Sequence, residues 1–244
     1  MRTVVTVEAR MRSTRLPGKV LRPILGRPIL SLMIQRLKRV RQADHIVIAT
    51  TDNPADDAIA DLARQLAVSW FRGSEEDVLD RVLKAAQSVN AELVVETTGD
   101  CPLIDPGVVD QLIATFKTNS VDYCSNVLSR TYPRGMDTQV FPVAVLARVA
   151  ELTQDRADRE HVSLYIYEHP ERFRLLNVAS GFPPGVADLR LTVDTPEDLD
   201  LVERVYQELY PTNPEFTLAD ILALFDRGPE LRLINQNTQQ KPAR

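Results

Sequence analysis

The stretch from Ala9 to Arg27 holds six basic residues (Arg10, Arg12, Arg15, Lys19, Arg22 and Arg27) and no acid, in a chain of formal net charge −5. A local basic cluster in an acidic chain suits a small, highly charged anion. A nucleic acid would call for a basic surplus over a whole face. A nucleoside triphosphate fits, because it needs several cationic or N–H donors held close together. Within "RMRSTRLPGK", Gly18 lets the backbone approach a phosphate, Pro17 stiffens the turn, and Arg15 and Lys19 bring charge to one place. Neither G-x-x-x-x-G-K-[ST] nor G-x-G-x-x-G is present. Any one arginine is as well explained by solvation. Five arginines and a lysine following an apolar segment, Thr3 to Val7, point to a ligand.

Two aspartates complete the candidate chemistry. "LVVETTGDCPLIDP" sets Asp100 just past an apolar run, and "LRLTVDTPEDLDLV" sets Asp194 just past another. Carboxylates at two strand ends meet on one edge of a sheet, where they can share a magnesium ion that takes its other oxygens from water and phosphate. The plainer alternatives are a helix N-cap for Asp194 and a turn residue before Pro102 for Asp100.

The elements that must position these residues are legible as alternating runs. Thr3–Val7, His45–Thr50, Val68–Phe71, Leu93–Glu96, Arg174–Val178 and Leu189–Val193 read as strands. Pro28–Val40, Pro54–Leu66, Glu75–Val89, Pro106–Lys117, Thr195–Leu209 and Thr217–Phe225 read as helices. Strand and helix in alternation predict a doubly wound α/β fold with a mostly parallel sheet, whose ligands bind beyond the carboxyl ends of the strands. The expected organisation is one domain over residues 1–228, with a less regular inserted lobe at about 129–184 for acceptor binding or dimerisation. Residues 229–244 are expected to form a tail without catalytic weight.

Two cysteines and three scattered histidines supply neither a disulfide framework nor a closed zinc site. No run of about 18 apolar residues is present to span a membrane. These features lead to the expectation of a cytoplasmic enzyme with no nucleic-acid or membrane partner. Cys101 reads as a small buried residue, and His45 and His169 as structural.

"ARMRSTRLPGKVL" followed by "GRPIL", together with "GDCPLID" and "VDTPEDL", resembles the cytidylyltransferases that activate acidic sugars, the acylneuraminate and 3-deoxy-manno-octulosonate enzymes. The resemblance runs from Val4 to about Leu201. "FRGSEEDVLDR", "YPRGMDTQVF" and "REHVSLYIYEHPERF" are most similar to the spore coat polysaccharide biosynthesis protein F branch. It implies a Rossmann-like nucleotide-diphospho-sugar transferase fold and transfer of CMP from CTP to a sugar with release of pyrophosphate, in a homodimer. It implies Mg2+ on Asp100 and Asp194, catalytic roles for Lys19, Arg10 and both aspartates, and nucleotide contacts from Ala9, Arg10, Met11, Ser13, Arg15, Gly18, Lys19, Asp77, Arg81, Thr98 and Gly99. A glycosyltransferase using a nucleotide-sugar, or a nucleotide-binding regulatory subunit without turnover, are the alternatives.

The acceptor is expected in the middle segment. An acidic sugar needs a cation for its carboxylate and polar partners for its hydroxyls. Arg134 and Arg159 are the candidate cations there, and Tyr132, Asp137, Glu160 and His161 the remaining contacts. A lone His beside a Glu is more often structural than a general base.

Overall fold

The computed structural model describes residues 1–241. The chain begins with β1 (Thr3–Glu8), a short hairpin of β2 (Pro23–Ile24) and β3 (Arg27–Pro28), α1 (Ile29–Leu37), β4 (His45–Thr51), α2 (Asp57–Gln65) and β5 (Ser69–Gly73). It continues through α3 (Val78–Ser88), β6 (Leu93–Thr98), α4 (Pro106–Thr118), β7 (Tyr123–Ser125), β8 (Gln139–Pro142) and α5 (Val143–Leu152). The remaining elements are α6 (Arg156–Glu160), α7 (Leu164–Glu168), β9 (Leu175–Asn177), α8 (Pro196–Leu209) and α9 (Leu218–Arg227). No helix among the described residues is long and apolar enough to cross a membrane.

Seven strands form one sheet in the order β5-β4-β1-β6-β8-β7-β9. The β5-β4-β1-β6 half is parallel, and β8 runs antiparallel to both β6 and β7. From β1 the chain moves outward through β4 to β5, then returns to β1's other side as β6. Strand order therefore reverses at β1 and β6, and the crevice beyond their carboxyl ends is where a doubly wound sheet binds its ligand. The loops opening there carry the basic cluster and Asp100.

Both faces of β1 are covered, which is why "VVTV" reads as a continuous apolar run. Val5, Val7, Ile46, Ile48 and Val95 point toward the layer of α1, α4, α8 and α9, whereas Val4, Val47, Ala49 and Val94 point toward α3 and α5. This two-residue alternation divides one run of side chains between two cores.

Segment Leu189–Val193 is not a strand. Its Arg190 makes a single parallel bridge with Arg134, and its backbone serves two loops: Leu191 donates to the Arg134 carbonyl at 2.8 Å and Val193 to the Asp100 carbonyl at 2.8 Å. An extended apolar segment here acts as a clasp between loops instead of a rung in the ladder. β7, β8, α6 and α7 are absent from the sequence reading because they are short, and the ten-residue α5 is absent because it follows the antiparallel return of β8 instead of a βαβ crossover. β8 and β9 both come from the irregular middle segment, so 129–184 is threaded into the main sheet.

Gly135 adopts φ +99°, and a Cβ there would lie 2.7 Å from the carbonyl carbon and oxygen of Leu191. Gly135→Ala is expected to cost about 3 kcal/mol, roughly 6 to 12 °C in Tm, from positive-φ strain combined with a backbone clash. Thermal denaturation checks this, and a loss of only a degree would show that the clasp shifts freely.

Candidate active site

The basic loop is built from a few backbone constraints. Met11 donates its N–H to Asp56 Oδ1 at 2.7 Å, and the buried Asp56 carboxylate also takes the Thr51 N–H and hydroxyl, which fixes the loop's start to the end of β4. The Met11 carbonyl accepts from Ser13 at 3.1 Å and Gly18 at 2.9 Å, curling the chain back on itself. Gly18, at φ +69°, makes the reversal that delivers Lys19 into a short 3-10 turn.

Lys19 Nζ lies between the two aspartates, 2.6 Å from Asp100 Oδ2 and 2.8 Å from Asp194 Oδ1. Burial would lower the Lys19 pKa, but the charges of Asp100 and Asp194 outweigh it and hold the ammonium above its ordinary range. For Asp100, burial would raise the pKa, yet the Lys19 charge and hydrogen bonds from Lys19 and Thr98 bring it below the usual carboxylate value. Asp194 is held further by Arg15 at 3.0 Å and by the Arg190 guanidinium.

Behind Asp194 lies a second, buried pair. Arg190 Nε donates to both oxygens of the fully buried Asp198, at 3.0 and 3.1 Å. Asp198 is also the third residue of the α8 capping box with Thr195, so the helix is capped by Thr195 and the Asp194 side chain is left for Lys19, Arg15 and Arg190. With Val193 donating to the Asp100 carbonyl, the two carboxylates are tied by backbone as well as by Lys19.

These groups line a cavity of about 380 Å³ that takes in Ala9, Arg10, Ser13, Arg15, Lys19, Arg81, Thr98, Gly99, Asp100 and Asp194 of the sequence-predicted set. Met11 and Gly18 shape the loop but lie outside this lining. Asp77 caps α3, accepting from the Asp80 N–H, and faces Arg159 at 3.6 Å. A neighbouring cavity of about 550 Å³ takes in Asp137, Glu160 and His161. Tyr132, Arg134 and Arg159 stand outside both linings. Tyr132 is buried against Phe182 with its hydroxyl on Gln111; the Arg134 backbone is paired with Leu189 and Leu191 in the clasp.

Glu8, Thr98, Glu160, His161 and Lys241 line both cavities, making them one continuous crevice. The sequence reading missed Arg130, which grips Asp137 with two bonds of 2.6 and 2.9 Å in the larger cavity. It also missed the half-buried Glu8 and the buried Glu96 in its lining. The available signal was a charged residue interrupting each of the apolar runs "TVVTVE" and "LVVET". Cys101 is buried, with its thiol pushed well above the ordinary range by desolvation. His45 bonds Ser69 and His169 stacks on Tyr165, and neither lines the two cavities.

Comparison with known proteins places the chain in a family. Residues 4–214 match the family described as Cytidylyltransferase. The chain belongs to the cytidylyltransferase family. It is 33% identical over its whole length to an uncharacterized protein of Methanocaldococcus jannaschii, covering 98% of that protein. It is 32% identical to the spore coat polysaccharide biosynthesis protein SpsF of Bacillus subtilis, over 92% of this chain and 94% of that one. The solved structure of a cytidylyltransferase from Leptospira borgpetersenii superposes with a TM-score of 0.90 at 32% identity, covering 99% of this chain and all of that one. This cytidylyltransferase is therefore a nucleotidyltransferase on the fold that its sequence predicts.

In this cytidylyltransferase, burial pushes the Glu96 carboxyl well above the ordinary glutamate range, and the charge of Glu8 adds to the effect. Glu8 is raised by burial too. A carboxyl whose folded pKa is raised contributes stability that is complete below its unfolded pKa and is lost as pH rises through the folded one. Glu96→Gln mimics the protonated form and keeps an acceptor for Gln139. Its stability relative to the wild type is therefore expected to increase as pH rises from about 4 toward 8, by urea denaturation. Parallel curves would mean that Glu96 titrates normally.

Proposed function

We propose that the protein catalyses transfer of CMP from CTP to a sugar hydroxyl, acidic or otherwise, with release of pyrophosphate, for surface polysaccharide or glycan biosynthesis. The observation that carries this reading is the Lys19 ammonium shared between Asp100 and Asp194 at the foot of the basic loop. The name of its B. subtilis relative supports the glycan setting.

The two aspartates suit a magnesium ion, since they are hard oxygen donors already converging on one cation. Among the described residues no third His, Cys, Asp or Glu joins them to make a closed metal site. That leaves coordination positions for water and substrate phosphate. When bound there, magnesium would supply charge neutralisation at the α-phosphoryl group.

The residues themselves do the positioning. Arg10, Arg15 and Lys19 line the nucleotide cavity and hold the phosphates as the bond between the α-phosphorus and its bridging oxygen breaks. The acceptor occupies the larger cavity, where its hydroxyl can approach the α-phosphorus through the shared wall. The new bond forms from that oxygen, its proton passes to water at the open mouth, and pyrophosphate leaves with the electron pair of the broken bond. Arg130, already aligned by Asp137, is the cation for a sugar carboxylate in place of Arg134 and Arg159.

CTP with Mg2+ is expected to raise Tm more than ATP, GTP or UTP, because a ligand bound only by the folded state stabilises it by mass action; preference for a purine would overturn the nucleotide assignment. Lys19→Ala is expected to weaken CTP binding by more than about tenfold and CMP binding by less than about threefold, since CMP lacks the outer phosphates. Equal losses by calorimetry would place Lys19 elsewhere. Asp100→Asn is expected to lower kcat by about two orders of magnitude or more in a pyrophosphate-release assay, while a near-normal rate at saturating Mg2+ would remove Asp100 from the metal pair.

A further inference from the structure

The segment after Gly228, read from sequence as a tail without catalytic weight, lies along the mouth of the crevice. Asn235 is buried and donates to the Arg190 carbonyl at 3.0 Å and to Asp198 Oδ1 at 2.8 Å. Thr238 meets the Thr195 hydroxyl at 3.4 Å. The Gln239 carbonyl accepts from Arg15 at 3.2 Å, and Gln240 Oε1 accepts from Arg190 at 2.7 Å. Lys241 Nζ donates to the Thr14 hydroxyl at 3.1 Å, across the basic loop. The segment is thus fastened to the same Arg190, Asp194 and Asp198 network that positions the metal-pair aspartate, and it reaches the loop on the other side.

Charge in the crevice shows what this segment adds. Lys19, Arg15 and Arg190 are matched by Asp100, Asp194 and Asp198, and Arg12 faces Glu75 at 3.3 Å. A triphosphate brings more negative charge than one divalent cation offsets, so the site needs cations that no carboxylate already neutralises. Arg10 is one, bonded to the Glu75 carbonyl. Lys241 is another: its ammonium rests on a neutral hydroxyl, among the described residues no carboxylate lies within ion-pair distance, and it lines both cavities.

We infer that Asn235–Lys241 is a strap that completes the nucleotide site, with Lys241 binding the outer phosphates of the triphosphate and Asn235 holding the strap in place. This rests on the reading of the smaller cavity as a triphosphate site. In the complex Lys241 exchanges the Thr14 hydroxyl for a phosphate oxygen, and the strap then closes the crevice between nucleotide and acceptor.

Calorimetry of the full-length protein with CTP and with CMP, in the presence of Mg2+, tests the inference. Lys241→Ala is expected to weaken CTP binding about tenfold, leave CMP within about twofold, and leave the ligand-free Tm unchanged, because the side chain is exposed and makes one hydroxyl bond. Lys241→Arg is expected to recover most of the loss. Asn235→Ala is expected to weaken CTP in the same selective way. Wild-type CTP affinity in Lys241→Ala, or an equal loss for CMP, overturns the strap while Lys19→Ala still weakens CTP. If Lys19→Ala also leaves CTP affinity unchanged, the reading of the cavity as a triphosphate site fails with it.

Discussion

One ammonium held by two carboxylates organises the site. Asp100 follows β6, Asp194 precedes α8, and nearly a hundred residues of chain separate them, yet Lys19 bonds both. Without a cation between them, two largely buried carboxylates that converge on one point repel, and one would be driven to protonate. Positive charge between them removes that repulsion. Lys19 supplies it in this structure, and under the proposed function a divalent ion would take its place on the carboxylates and leave the lysine for phosphate. The pair of Arg190 and Asp198 behind it keeps Asp194 from relaxing away, and breaking such a buried pair by removing one partner typically costs about 3 to 5 kcal/mol.

The rest of the fold can be read as the means of bringing these three side chains together. A reversal of strand order at β1 and β6 leaves their carboxyl ends facing one crevice, and both loops emerge there. Asp56, at the turn after β4, sets the start of the basic loop, and Gly18 sets its end. Segment Leu189–Val193 was unsuited to be an eighth rung of the sheet because its hydrogen bonds are needed by Arg134 and Asp100. Its extended, apolar sequence carries the signature of a strand, and only the tertiary context shows that it works as a clasp.

That contrast explains what was legible in the sequence. Long periodic elements such as β1, β4, β6, α4 and α8 announce themselves because burial on one or both faces dictates residue type at fixed spacing. The basic loop and the two aspartates were legible because charge next to an apolar run has few structural explanations. Three-residue β7 and five-residue α6 and α7 are too short to impose a period. Tyr132 and Arg134 have the residue types of an acceptor site but stand outside both cavity linings, Tyr132 packed on Phe182 and the Arg134 backbone paired in the clasp. Arg130, two residues before Tyr132, points into the cavity instead, and nothing in its local sequence distinguishes it. The strap was illegible for a further reason: its composition is polar and its partners, Arg15, Arg190 and Asp198, are all remote in sequence.

Under the proposed function Asp100 and Asp194 form one cation site, which Lys19 occupies in this structure. A crystal structure with CTP and Mn2+, with the metal located by its anomalous scattering, tests it most directly. The expected result is a single manganese peak between the two carboxylates, with Lys19 moved onto a phosphate oxygen. A manganese ion bound elsewhere, with Lys19 still bridging both aspartates beneath bound CTP, would show that the two carboxylates do not form a metal site.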